Sequence, residues 1–185
     1  MSVRVAVIAF VFACAGCAAP PVGTPANDSP RPLLAPAALG SDRAVNQLVR
    51  GAFGAREMTL NCVVTVKDGT MSVVGLSAMG VRVFTIRYDG LTTSVDNSLP
   101  IPAQLTPERL LADLQLVYWP MAALESAWQP AGWEVSDSAP GTRRLRRDSR
   151  LVAEVHYTSA DPWQGRSWLV NFEHGYTLNI ESNPM

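Results

Sequence analysis

The stretch LLADLQLVYWP, residues 110–120, decides how the rest of the chain is read. Leu110, Leu111, Leu114, Val117 and Tyr118 recur at helical spacing, and Asp113 falls away from much of that apolar stripe. Just upstream, Thr106 suits an N-cap, Pro107 the first helical position, and Glu108 the positive end of the helix dipole. Pro120 forces Trp119 out of helical geometry and can start a second short helix, MAALESAW (121–128). Asp113 and Gln115 sit inside the apolar run, and they read as polar fastenings rather than as catalysts, because one carboxylate is no acid/base system.

Working outward, both flanks read as strands. Upstream, VNQLVRGAF, MTLNCVVTVK, TMSVVGLSA, VRVFTIRYD and LTTSVD are separated by turn sequences that contain GA, DG, MG and DG. Met58, Leu60 and Cys62 alternate with Thr59 and Asn61, whereas both faces of 81–88 carry apolar groups. Downstream, WEVSD, TRRLRR, RLVAEVHYT, SWLVNFEHG and YTLNIES follow, with turns at Asp148-Ser149 and His174-Gly175. The order of strands, two helices and strands, with short connections, predicts an α+β domain built on an antiparallel sheet.

The N-terminus reads as an export signal: Arg4, an apolar run from Val5 to Ala13, then small residues. Ala15-Gly16-Cys17 resembles the end of a bacterial lipobox, with Cys14 where that pattern has Leu. Cys17 would then carry a diacylglyceryl group and a further acyl chain, and Ala18 after it favours an outer-membrane address facing the periplasm. Cleavage after Ala15, giving a soluble exported protein, is the other reading. The expected organisation is a signal peptide over 1–16, a lipidated N-terminus and Pro/Ala-rich tether over 17–38, and one folded domain over 39–185.

The remaining residues exclude more than they suggest. With 185 residues and a net charge of −1, the chain gives no electrostatic case for nucleic acid. Cys62 stands alone in an apolar run, so no internal disulfide is expected and the thiol reads as core. His156 and His174 lack metal-ligand spacing, no GxSxG elbow or phosphate loop is present, and no catalytic site, metal or free cofactor is expected. The cluster Arg143, Arg144, Arg146, Arg147 and Arg150 reads as a solvated hairpin tip, or as a patch for anionic head groups or an acidic partner. Trp163, in DPWQG, either folds back or contacts a membrane or partner.

LLAP (33–36), VVGLSAMGVRVFTIRYDG (73–90), LLADLQLVYWP and GYTLNI (175–180) together resemble a family of bacterial lipoproteins of unknown function. Its members are often encoded with aryl-polyene or other fatty-acid-synthase-like pathways, and the family is similar to the lipoprotein-carrier superfamily of LolA and LolB. The resemblance covers most of residues 33–182. It implies a strongly curved, incompletely closed antiparallel half-barrel with two helices covering its concave side around an apolar cavity. Leu110, Leu111, Leu114, Val117, Tyr118 and Trp119, with Phe84 and Ile86 from the sheet, would line or plug that cavity. The implied function is a monomeric, non-enzymatic outer-membrane lipoprotein that accepts or passes on an acylated molecule, lipid or lipoprotein. An aryl-polyene-type lipid is one such cargo, and envelope transport proteins are the expected partners. The alternative is a structural lipoprotein with a filled core that docks another envelope protein.

Overall fold

Two antiparallel five-stranded meanders follow from the alternation of apolar residues and the turns between them. The computed structural model describes residues 30–185, so the expected signal peptide, Cys17 and the first part of the tether lie outside the described residues. The first meander is β1 (Arg43–Phe53), β2 (Arg56–Lys67), β3 (Thr70–Leu76), β4 (Arg82–Tyr88) and β5 (Thr93–Asn97). The second is β6 (Trp133–Ala139), β7 (Thr142–Arg147), β8 (Arg150–Tyr157), β9 (Gly165–Asn171) and β10 (Tyr176–Pro184). Two hairpins turn on two residues with positive φ: Asp68-Gly69 (50° and 73°) and Asp148-Ser149 (48° and 63°). That geometry matches the right-handed twist of the strands they join.

The first and last strands of the described residues, β1 and β10, are neighbours, paired from Val45↔Pro184 to Phe53↔Tyr176. They join the meanders into one sheet ordered β5-β4-β3-β2-β1-β10-β9-β8-β7-β6. β5 and β6 are its two edges, so the sheet curls without closing, as a half-barrel. Its inner face is read directly from burial: Val45, Gln47, Gly51 and Phe53 of β1 are buried, whereas Asn46 and Arg50 are exposed. Gly75 on β3 admits the Phe84 ring of β4, because a Cβ there would lie 2.5 Å from it.

The helices α1 (Pro107–Tyr118) and α2 (Met121–Trp128) link β5 to β6. Thr106 caps α1 by accepting the Arg109 N–H at 3.3 Å, and Trp119 leaves the helix with ψ 148°, as Pro120 requires. Every residue of α1 from 111 to 118 is buried, polar ones included.

Burial on all sides needs a cover opposite the sheet, and residues 31–39 supply part of it. This corrects the expected tether boundary: Leu34, Pro36 and Leu39 are buried, and the packed domain starts at about Arg31, not at 39. Gln115 explains why a Pro/Ala-rich segment docks. Its Oε1 accepts the Leu34 N–H at 2.9 Å and its Nε2 donates to the Leu34 carbonyl at 2.8 Å. Trp128 Nε1 donates to the Pro32 carbonyl at 2.8 Å, and Tyr88 OH to the Leu33 carbonyl at 3.3 Å. Residues 31–39 thus form a strap over α1, anchored on α2 at one point and β4 at another.

Candidate functional site: an apolar cavity under the plug helix

Between α1 and the inner face of the sheet lies a cavity of about 40 Å³. Leu110, Leu114 and Val117 form its helical wall, and Phe84 joins them from β4. The opposite wall is Val49 and Phe53 of β1, Leu60 and Cys62 of β2, and Leu178 and Ile180 of β10. Half-buried Leu110 and Met58 stand at its rim. Among the described residues, Asp113 and Gln47 are the only wall residues with polar side chains besides the Cys62 thiol.

Of the eight residues expected to line a cavity, the structure brings Phe84, Leu110, Leu114 and Val117 together around it. Ile86, Leu111, Tyr118 and Trp119 are buried in the surrounding core and do not reach the cavity. Tyr118 is a fastening: Gln47 Nε2 donates to its hydroxyl at 2.5 Å, Ser182 Oγ lies at 3.1 Å, and its ring sits 4.3 Å from that of Trp163. Burial pushes the Tyr118 pKa up to about 12. Trp163 therefore folds inward, the first of its two readings. The β1, β2 and β10 lining is absent from the sequence-level set. Alternation in MTLNC puts Met58, Leu60 and Cys62 on one face, but only the direction of sheet curvature makes that face concave.

The wall carries no nucleophile. Burial raises the Cys62 thiol from its ordinary 9.0 to about 12, so it stays protonated at neutral pH. Asp113 receives hydrogen bonds from Arg31 of the strap and from the Tyr176 hydroxyl of β10. Burial, and then the Asp113 carboxylate, raise the Tyr176 pKa well above the usual phenol range. Asp113 and Gln115 thus tie the plug to sheet and strap, as their place in the apolar run suggested.

At the C-terminal end of α1, Arg143 Nη1 donates to the Leu116 and Trp119 carbonyls, each at 2.9 Å, and Tyr157 OH donates to the Val117 carbonyl at 2.8 Å. These donors satisfy carbonyls that the end of a helix leaves open. The cavity runs along the helix from Leu110 to Val117.

Arg143 departs from the solvated-tip reading: it is buried, because its donors are consumed by the helix end. Around it, Arg144 pairs with Glu154, Arg147 lies over the Trp133 ring at 4.7 Å, and Arg146 donates to the Ser149 carbonyl at 3.1 Å. His156 stacks on Trp168 with ring centres 4.7 Å apart, and half-buried His174 lies beside Glu173. Among the described residues no group of three or more His, Cys, Asp or Glu could hold a metal, and no helix is long and apolar enough to cross a membrane.

These features define a plugged half-barrel with an apolar seam between helix and sheet. A family model described as "Protein of unknown function (DUF3261)" matches residues 44–184, and the chain belongs to that family. No curated protein matches the sequence. Among solved structures, the chain is similar to a LolA superfamily protein, NE2245, from Nitrosomonas europaea, with 10% identity and a TM-score of 0.45. That likeness covers 82% of this chain and 92% of the other. A DUF1329 family protein from Desulfovibrio piger is similar at 9% identity and a TM-score of 0.37, over 84% of this chain and 85% of the other.

Proposed function

We propose that this protein binds the acyl chain of an amphiphilic molecule between α1 and the concave sheet, as a non-enzymatic lipoprotein of the cell envelope. The observation that carries the reading is the cavity wall: apolar side chains from six strands and one helix converge on a void beneath α1. Apolar burial would drive binding, at about 25 cal/mol per Å². At about 40 Å³ the void holds a few water-sized spheres, so a chain enters only if the Leu110–Leu114 side of α1 moves outward. In this reading the protein is tethered through acylated Cys17 to the outer membrane, faces the periplasm, acts as a monomer, and exchanges an acylated lipid or lipoprotein with envelope transport proteins. An aryl-polyene-type lipid is one cargo of suitable chemistry.

The small volume favours a second reading, in which the core is simply filled and the protein docks another envelope component. Delipidated protein separates the two. Saturable uptake of a fluorescent fatty acid, together with a lipid identified by mass spectrometry in the purified protein, supports carriage. Absence of both supports docking. Incorporation of radioactive palmitate into the wild type and not into Cys17→Ser tests the anchor.

A further inference from the structure

A second cavity, of about 370 Å³, flanks the start of α1 on the side away from the first. Thr106, Arg109 and Ala112 of the helix cap and first turns form one wall, Arg31 of the strap and Trp133 of β6 another. The two cavities meet at one ion pair, because Asp113 lines the first and its partner Arg31 lines the second.

Two donors in this wall are unused. The Arg31 side chain is 7% exposed, with Nη2 on Asp113 and Nη1 without a partner. The Trp133 Nε1 is likewise buried without a partner. Buried donors are normally paired, so a pair of orphans beside one cavity calls for an acceptor. Charge narrows what that acceptor is. Arg31 and Arg109 line it with Glu108 and Glu173, two cations against two carboxylates, and the Arg31 charge is already paired with Asp113. His174 adds no cation at neutral pH, since burial, and then Arg109, lower its pKa. An anion would meet a wall with no net positive charge to hold it.

We infer that this second cavity receives the uncharged, carbonyl-bearing head of the amphiphile whose acyl chain enters the first, with Arg31 Nη1 and Trp133 Nε1 donating to the head's ester or amide oxygens. The inference rests on the acyl-binding reading above, and adds the head-group class to it. Both donors are buried, so the head reaches them as α1 moves outward.

The test uses three probes that share a twelve-carbon chain and differ in the head: 1-monolaurin, laurate and dodecyltrimethylammonium, titrated calorimetrically into the purified full chain. Monolaurin is expected to bind more tightly than laurate. Trp133→Phe keeps the ring under Arg147 and removes only the N–H. It should weaken monolaurin about threefold to tenfold, the worth of one hydrogen bond, and leave the alkylammonium, whose head has no acceptor, unchanged. Arg31→Lys, which keeps the charge opposite Asp113, should show the same selective loss. Unchanged monolaurin affinity in both variants overturns the head-group assignment, and tighter binding of laurate than monolaurin overturns its uncharged character. If no probe binds, the acyl-binding reading fails, and this inference with it.

Discussion

Replacing Gln115 by Met keeps the side chain's length and removes both hydrogen bonds to Leu34. Gln115 has no solvent exposure and Leu34 has 6%, so water does not take the amide's place while the strap stays down. A buried polar group without a partner costs about 1–3 kcal/mol, which for the Leu34 N–H and carbonyl together makes about 2–6 kcal/mol. Lifting the strap rehydrates both groups but exposes the Leu34 side chain, at about 1.5–3 kcal/mol. The cheaper response is to lift locally at Leu34, so the variant should lose about 3 kcal/mol and expose the strap around that residue. Urea unfolding measures the first quantity and hydrogen exchange the second. The Leu34 amide, whose proton is held by Gln115 Oε1, should exchange at least tenfold faster, while amides in the β1–β10 ladder shift only with global stability. An unchanged urea midpoint together with unchanged Leu34 exchange would refute the reasoning, since it would mean that the amide clamp does not hold the strap.

Leu114→Ala enlarges a void that already corresponds to about 1 kcal/mol, at about 24 cal/mol per Å³. The variant should be about 3–4 kcal/mol less stable, and a twelve-carbon chain should raise its Tm more than that of the wild type in thermal unfolding. Arg143→Lys cannot reproduce a guanidinium that reaches two carbonyls and Asp137 at once. About 1–3 kcal/mol should be lost, read by urea unfolding, with faster exchange confined to the end of α1 and the start of α2. Alkaline pH should destabilise the protein through Cys62. Its folded pKa lies above its unfolded value of 9.0, so the contribution is fully present below pH 9 and is lost toward pH 12, at about 1.4 kcal/mol per pH unit. Tyr118 adds to this above pH 10. Urea midpoints at pH 8 and 9.5 should therefore converge in Cys62→Val.

Strand and helix identities were legible because each carries a local cause. Asp68-Gly69 and Asp148-Ser149 reverse the chain, Thr106-Pro107 start α1, and Pro120 stops it. The strap was not legible, since Pro/Ala-rich text between 31 and 39 has no periodicity, and the partners that dock it, Gln115 among them, lie more than fifty positions away. The buried role of Arg143 was hidden for a similar reason: within TRRLRR it differs from its neighbours only by the helix end it meets across the fold. Half of the expected cavity residues line the void. On a helix buried all round, the apolar stripe cannot say which of its sides faces empty space and which faces packed core.

The pairing of β1 with β10 has a kinetic consequence. Each five-stranded meander can assemble from neighbouring hairpins, but the join between them closes the longest loop in the domain, bringing Val45 to Pro184. Contacts so distant in sequence form slowly, because loop-closure entropy is spent before they stabilise anything. Until then β1 and β10 are both open edges with complementary registers, and the β10 of a second chain fits the β1 of the first as well as its own does. Refolding should therefore be a race between intramolecular closure and strand exchange, with monomer yield falling as protein concentration rises.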